Sequence, residues 1–194
     1  MAVAQAGGND SRGGSWSQDG RQADTSIDSP SLDLLSSPLD FLYAEHLRQR
    51  QFAKLLGLIA DGVINRRTIA AAAEFVENDL ATHILDEEVS FFPLLRPLCQ
   101  PEDRVDDLLA LLSQEHREDE GESERVLSAL ARLSATEPPS DADKQTLRSF
   151  SDHLRGHLAL ENGVLLPLAR SRMTSEALQL MSQSMSLRRN IKKS

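Results

Sequence analysis

His83-Ile-Leu-Asp-Glu87, running on to Phe91-Phe-Pro-Leu-Leu95, has a near double in His157-Leu-Ala-Leu-Glu161, running on to Leu165-Leu-Pro-Leu-Ala169. In both, a histidine is followed four residues later by a glutamate and ten residues later by a proline. Residues i and i+4 lie above one another on a helix face, so each pair offers an imidazole and a carboxylate to one point. Two such pairs on facing helices are what a helical bundle needs to hold a pair of metal ions.

Outward from these segments, apolar residues keep a helical period. Ser37-Pro38 opens a first helix, with Ser37 as its cap and Pro38 at the first helical position. Leu39, Leu42, His46, Ala53 and Leu56 form its stripe, and Gly62 and Asn65 end it. A second helix is expected over about 66–98, with Val76, Leu80, His83, Glu87, Phe91 and Leu94 inward and Pro93 and Pro97 loosening its last turns. A third, from Pro101 to about Ala135, carries Val105, Leu109, Leu112, His116, Glu120, Leu127 and Leu130. Glu137-Pro-Pro-Ser140 breaks the chain, and Ser140 caps a fourth helix with Leu147, Phe150, Leu154, His157, Glu161, Val164 and Leu168 inward. After Met173 comes a shorter amphipathic segment ending in Leu187-Arg-Arg-Asn-Ile-Lys-Lys-Ser194.

Four long helices with short joins predict an all-α fold, an up-down-up-down antiparallel four-helix bundle. Its expected organisation is a tail over residues 1–37, the bundle over 38–172, and a C-terminal helix with a basic tail over 173–194. The tail is rich in Gly, Ser, Asp and Gln, with Trp16 as its single aromatic, and cannot bury enough surface to offset its ordering entropy. Disorder is expected there.

Composition narrows the function classes. At 194 residues, with 40% hydrophobic and 26% charged residues, the chain suits one soluble domain with a proper core. A net charge of -9 argues against a nucleic-acid binder, which needs a basic face. No signal-peptide pattern opens the sequence, and no apolar stretch reaches the ~20 residues that cross a bilayer. Cys99 is the single cysteine, which excludes an internal disulfide and a thiolate metal cluster. A cytoplasmic setting is the expectation.

In an up-down bundle, residues equally far from a turn share a height. Reflection about the turns brings His46 beside His83, His83 beside His116 and Glu120, and His116 beside His157 and Glu161. Four histidines and three glutamates thus fall within roughly one helical turn, ~5.4 Å, of a common level. Glu45-His46 also resembles Glu115-His116, so the chain reads as two similar hairpins. Carboxylates are seldom buried unless paired or bound to metal. No lysine or arginine follows the same inward lines to neutralise three of them. Imidazole with carboxylate suits iron, manganese or zinc, and the lack of thiolates argues against an iron–sulfur centre. Two carboxylates able to bridge favour a pair of non-haem iron ions joined by an oxo or hydroxo group.

The series His46, His83-x-x-x-Glu87, His116-x-x-x-Glu120 and His157-x-x-x-Glu161 resembles the hemerythrin and HHE cation-binding family over residues 38 to 170. That resemblance implies a di-iron centre inside a four-helix bundle, binding oxygen or a related small molecule. It also implies His46, His83, His116 and His157 as terminal ligands, with Glu87 and Glu161 as bridges. Oxygen-carrying members place a second histidine four residues after the third-helix histidine, where this chain has Glu120, and end in His-x-x-x-x-Asp. A third carboxylate favours ferric over ferrous iron, which weakens oxygen carriage and leaves open oxygen, peroxide or nitric oxide chemistry. An enzyme acting on hydrogen peroxide or nitric oxide, and a metal-controlled interaction module using the tails, are the two other classes.

Several further residues carry expectations. His153, one turn before His157, reads as a surface group or a support for a ligand rather than a ligand itself. Tyr43 reads equally as packing or as a hydrogen-bonding neighbour of His46. Glu45, Glu88 and Glu115 point about 100° away from the ligand line and are expected in solvent. Arg188, Arg189, Lys192 and Lys193 read as complements to a helix dipole that keep the tail soluble. Cys99 reads as a small apolar filler.

Overall fold

The computed structural model describes residues 27–133 and 138–191, the last two of these by backbone alone. The disorder expected for residues 1–26, and Lys192 and Lys193, lie outside the described residues. Every regular element among the described residues is a helix.

The first helix is Pro38–Ala60. Pro38 starts it with its fixed φ and no N–H to satisfy. Ser37 stands at the cap but contributes its carbonyl, which accepts the N–H groups of Asp40 and Phe41, and not its hydroxyl. Gly62, at φ 93°, turns the chain where a side chain would be strained. Asn65 opens the next rod rather than closing this helix: its side chain and that of Thr68 cap each other's backbone N–H groups.

The second rod, 66–98, is not a uniform helix. Its α-helical pieces Arg66–Glu74, Ala81–Asp86 and Phe92–Leu95 are separated by π turns at Phe75–Leu80 and Glu87–Phe91, and Arg96–Leu98 is a closing 3-10 turn. The fourth rod has the same interruption: Asp141–Leu160, a π turn at Glu161–Leu165, then Leu166–Arg172. Phe92 donates its N–H to the Glu87 carbonyl, and Leu166 to the Glu161 carbonyl, each five residues back. Pro93 and Pro167 follow directly. A proline ring gives no N–H and crowds the carbonyl four residues earlier, here inside the widened turn, so a π turn accommodates it. The extra residue shifts the buried stripe by one. Leu95 is buried in place of Leu94, and Leu165 and Ala169 in place of Val164, which is 48% exposed, and Leu168.

A 3-10 turn, Pro101–Asp103, and Arg104 in the left-handed region (φ 49°) lead into the third long helix, Val105–Arg132. Ser140 caps the fourth rod through its side chain, which accepts the N–H of Asp143, as its sequence position implies. The C-terminal helix, Ser175–Ile191, sends Met181 and Met185 into the core and lies against the first helix and the turn Glu87–Phe91. Leu32–Ser36, inside the stretch expected to be a tail, forms a 3-10 turn with Leu35 buried.

Two apolar clusters make the core. One gathers Phe52, Leu56, Phe75, Val126, Phe150 and Leu154; the other gathers Phe41, Leu42, Phe91, Leu95, Leu112 and Leu165. On each long rod the histidine of interest lies between residues of the two clusters. The polar layer is therefore closed off above and below by packed side chains.

Candidate metal centre

His46, His83, Glu87, His116, His157 and Glu161 converge, and each is at most 6% exposed. They form two overlapping groups. His46, His83, Glu87 and Glu161 make one, and Glu87, His116, His157 and Glu161 the other, with donor atoms in each group within 4.8 Å of one another. The two carboxylates divide their oxygens between the groups. Glu87 Oε1 lies 3.7 Å from His46 Nε2 and 3.5 Å from His83 Nε2, while its Oε2 lies 3.3 Å from His116 Nε2. Glu161 Oε2 lies 3.4 Å from His46 Nε2, and its Oε1 3.2 Å from His157 Nε2. Each glutamate stands where it could join two ions.

His46 Nε2, both ring nitrogens of His83 and all four carboxylate oxygens of Glu87 and Glu161 are buried without a hydrogen-bond partner. Leaving so many polar atoms unsatisfied is costly unless something absent supplies the bonds. A neutral imidazole and a carboxylate are both lone-pair donors, so cations fit this space. Six such donors from four rods fit a metal site.

Glu120 does not join the cluster. It is exposed, and Asp119 is buried in its place, 3.0 Å from His153 Nε2. The buried line of the third helix runs Leu109, Leu112, His116, Asp119, Val126, Leu130. From Leu109 to Asp119 its steps run three, four, three, and Asp119 to Val126 is a full seven, so the step after His116 falls at the third residue. Extending the i+4 spacing of the other two rods to this helix selects the wrong acid. His153 pairs with Asp119 rather than with the cluster, and Tyr43 is exposed.

Behind the cluster stands a layer that the sequence reading assigns to solvent. His116 Nδ1 meets Glu88 Oε1 at 2.7 Å, and His157 Nδ1 meets Glu115 Oε2 at 2.7 Å. A carboxylate accepts, so Nδ1 of each ring carries a proton and Nε2 is the nitrogen that faces the cluster, where the two Nε2 atoms share a 3.3 Å hydrogen bond. Ser113 steadies Glu88 with a 3.0 Å hydrogen bond. His46 Nδ1 instead meets the amide oxygen of Asn162 at 2.9 Å, and Asn162 is oriented by its own bond to the Leu158 carbonyl. His83 Nδ1 has none of these. Glu45 is also buried, against Arg48.

Comparison with known proteins bears on this geometry. The model of the hemerythrin HHE cation-binding domain matches residues 37–169. The chain belongs to that family. A relative from Haemophilus influenzae, itself described only as an uncharacterized protein, is 27% identical over 165 residues, covering 81% of this chain and 92% of its own.

In this hemerythrin-family centre the acids and bases, taken by themselves, hold one another in unequal states. Burial pushes the His83 pKa down to about 3. Burial also opposes protonation of His157, but the Glu161 carboxylate outweighs it and raises that pKa to about 10. His46 and His116 are raised as well, the carboxylates again overcoming burial. Against its own burial, Glu87 is held well below the carboxylate range by the neighbouring His83, His116 and His46 rings. Burial and the Glu87 charge raise Glu161.

Proposed function

We propose that this chain holds two metal ions, iron being the best match to the donors, and uses them to bind or sense oxygen or a related small oxidant. His46 and His83 hold one ion, His116 and His157 the other, with Glu87 and Glu161 shared. The observation that carries this is the convergence of six buried donor side chains, with His46 Nε2, His83 Nε2 and the four oxygens of Glu87 and Glu161 left without a hydrogen-bond partner. Manganese or zinc would accept the same donors. The arrangement we infer is the antiparallel four-helix bundle over 38–172, extended by the C-terminal helix. It is supported by the histidine of each rod lying between the two apolar clusters. No described helix is long and apolar enough to cross a membrane.

A reduced iron pair would supply electrons to a bound oxidant. The chain's own residues hold that chemistry in place. Glu88, Glu115 and Asn162 orient three imidazoles, so that Nε2 is unprotonated and aimed inward. The apolar clusters exclude bulk water, and the burial of all six donors admits only a small molecule. Binding and turnover are separated by mixing the anaerobically reduced, iron-loaded protein with oxygen in a stopped-flow instrument. A stable absorption that reverses when oxygen is removed supports binding. Continued consumption of oxygen, peroxide or nitric oxide supports an enzyme. No optical change with any of them would overturn the oxidant reading.

A further inference from the structure

Asp86 stands one residue before Glu87, about 100° round the helix, and is completely buried, at 0% exposure. Its two carboxylate oxygens are taken by consecutive arginines of the C-terminal helix: Arg188 Nε donates to Oδ1 at 2.7 Å, and Arg189 Nη2 pairs with Oδ2 at 2.6 Å. Arg188 also donates to Ser90 Oγ at 2.6 Å, and Ser90 shares a 2.7 Å hydrogen bond with Ser184. Arg189 packs its guanidinium over the Phe41 ring, 4.4 Å from the centroid. These arginines, read from sequence as a solubilising end, are tied into the molecule.

The placement of these contacts is specific. Asp86, the last residue before the π turn Glu87–Phe91, and Ser90, inside that turn, flank Glu87. At the matching turn of the fourth rod their positions are taken by Leu160 and Val164, the second of them exposed. The family match ends at residue 169, so the helix that makes the contacts is an addition beyond the domain. A π turn carries one residue more than the regular ladder. Losing that residue would rotate the side chains by about 100°. A rotation of that size would withdraw the Glu87 carboxylate from both donor groups.

We infer that the C-terminal helix is a clasp on the metal centre: Arg188 and Arg189, acting through Asp86 and Ser90, are positioning residues that hold the Glu87 turn and so set how firmly the ions are retained. Release of metal is then governed from outside the family domain, at one of the two shared carboxylates and not the other. Any partner or modification that lifts the last turns of the helix would loosen the centre. This inference rests on the metal reading above.

The test uses the full chain loaded with ferrous iron under anaerobic conditions, with release followed by capture in excess ferrous chelator. Arg188→Gln/Arg189→Gln should speed release about tenfold, the low end of the roughly 10–100-fold effect of groups bonded directly to a ligand, since these arginines act through Asp86 and Ser90. It should also shift the visible absorption of the oxidised protein at full occupancy. Ser184→Ala, which keeps both ion pairs and endangers folding less, should raise release by a smaller factor. Met181→Ala removes packing from the same helix, so it should lower thermal stability yet leave spectrum and release unchanged at equal distance below its own Tm. Unchanged release in both polar variants, or an equal rise in Met181→Ala, overturns the clasp while the metal reading stands. Failure of the wild-type chain to take up iron removes both.

Discussion

His83–Glu87 and His157–Glu161 are close to the same sequence, open the same π turn and precede the same proline, yet the protein treats them differently. His157 is backed by Glu115, whereas His83 Nδ1 is bare. The turn after Glu87 is gripped by the C-terminal helix through two arginines, whereas among the described residues the positions matching Asp86 and Ser90 beside Glu161 are the apolar Leu160 and Val164. Their pKa values part company, His83 falling to about 3 and His157 rising to about 10. A repeated motif therefore sets which atoms converge. The neighbours of each copy set the charge state and firmness of its half of the centre.

The comparison breaks outright if the shared carboxylates are not shared. Glu87→Ala and Glu161→Ala should each remove most of the bound metal from both groups, read by elemental analysis, whereas His153→Ala should retain it. Loss of only one ion on removing either glutamate would mean that the two groups are independent. A subtler contrast lies behind the rings. Glu115→Gln and Glu88→Gln should weaken metal affinity by about 10–100-fold, seen as selective weakening of one of two steps in a titration. The same titration of Asn162→Ala should show a weaker effect on the other step, since only a neutral amide is lost.

Acid and base should act on the two histidines in opposite senses. In the metal-free protein His83 refuses a proton that the unfolded chain accepts below its ordinary pKa of 6.5, so stability falls as the pH drops from 6.5 toward about 3. His157, raised to about 10, contributes stability fully present below 6.5 and lost as the pH rises toward 10. Denaturant unfolding against pH should show both slopes, and His83→Asn should flatten the acid one. Because metal needs unprotonated rings, uptake at pH 7 should release protons, measurable in a weakly buffered solution. The smallest effect is expected at Glu120. Glu120→Gln should leave metal content unchanged, since the side chain is in solvent.

Much of this was legible in residue order. The rods, their breaks at Gly62 and Ser140, and the level shared by His46, His83, His116 and His157 follow from apolar period and turn chemistry. The errors have local physical causes. The π turns add a residue without a distinctive residue type, so Val164, Leu94 and Leu168 were placed inward where Leu165, Leu95 and Ala169 belong. The signal available was a proline set ten residues after each histidine. The i+4 spacing that puts Glu120 inward does not hold on a helix whose seam repeats every 3.5 residues, where Asp119 is the buried acid. Glu88 and Glu115 were sent to solvent by considering each helix alone. Pointing about 100° from its own ligand line aims each of them at a histidine on the adjoining rod. Arg188 and Arg189 could not be matched to Asp86, because nothing in a single helix tells where its charged end lands.

Anomalous X-ray diffraction from crystals of the iron-loaded chain tests the central claim most directly. The account predicts two peaks per chain, both between Glu87 and Glu161, one beside His46 and His83 and the other beside His116 and His157. A single peak, or peaks at the exposed acids of the third helix with the buried layer empty, would contradict it.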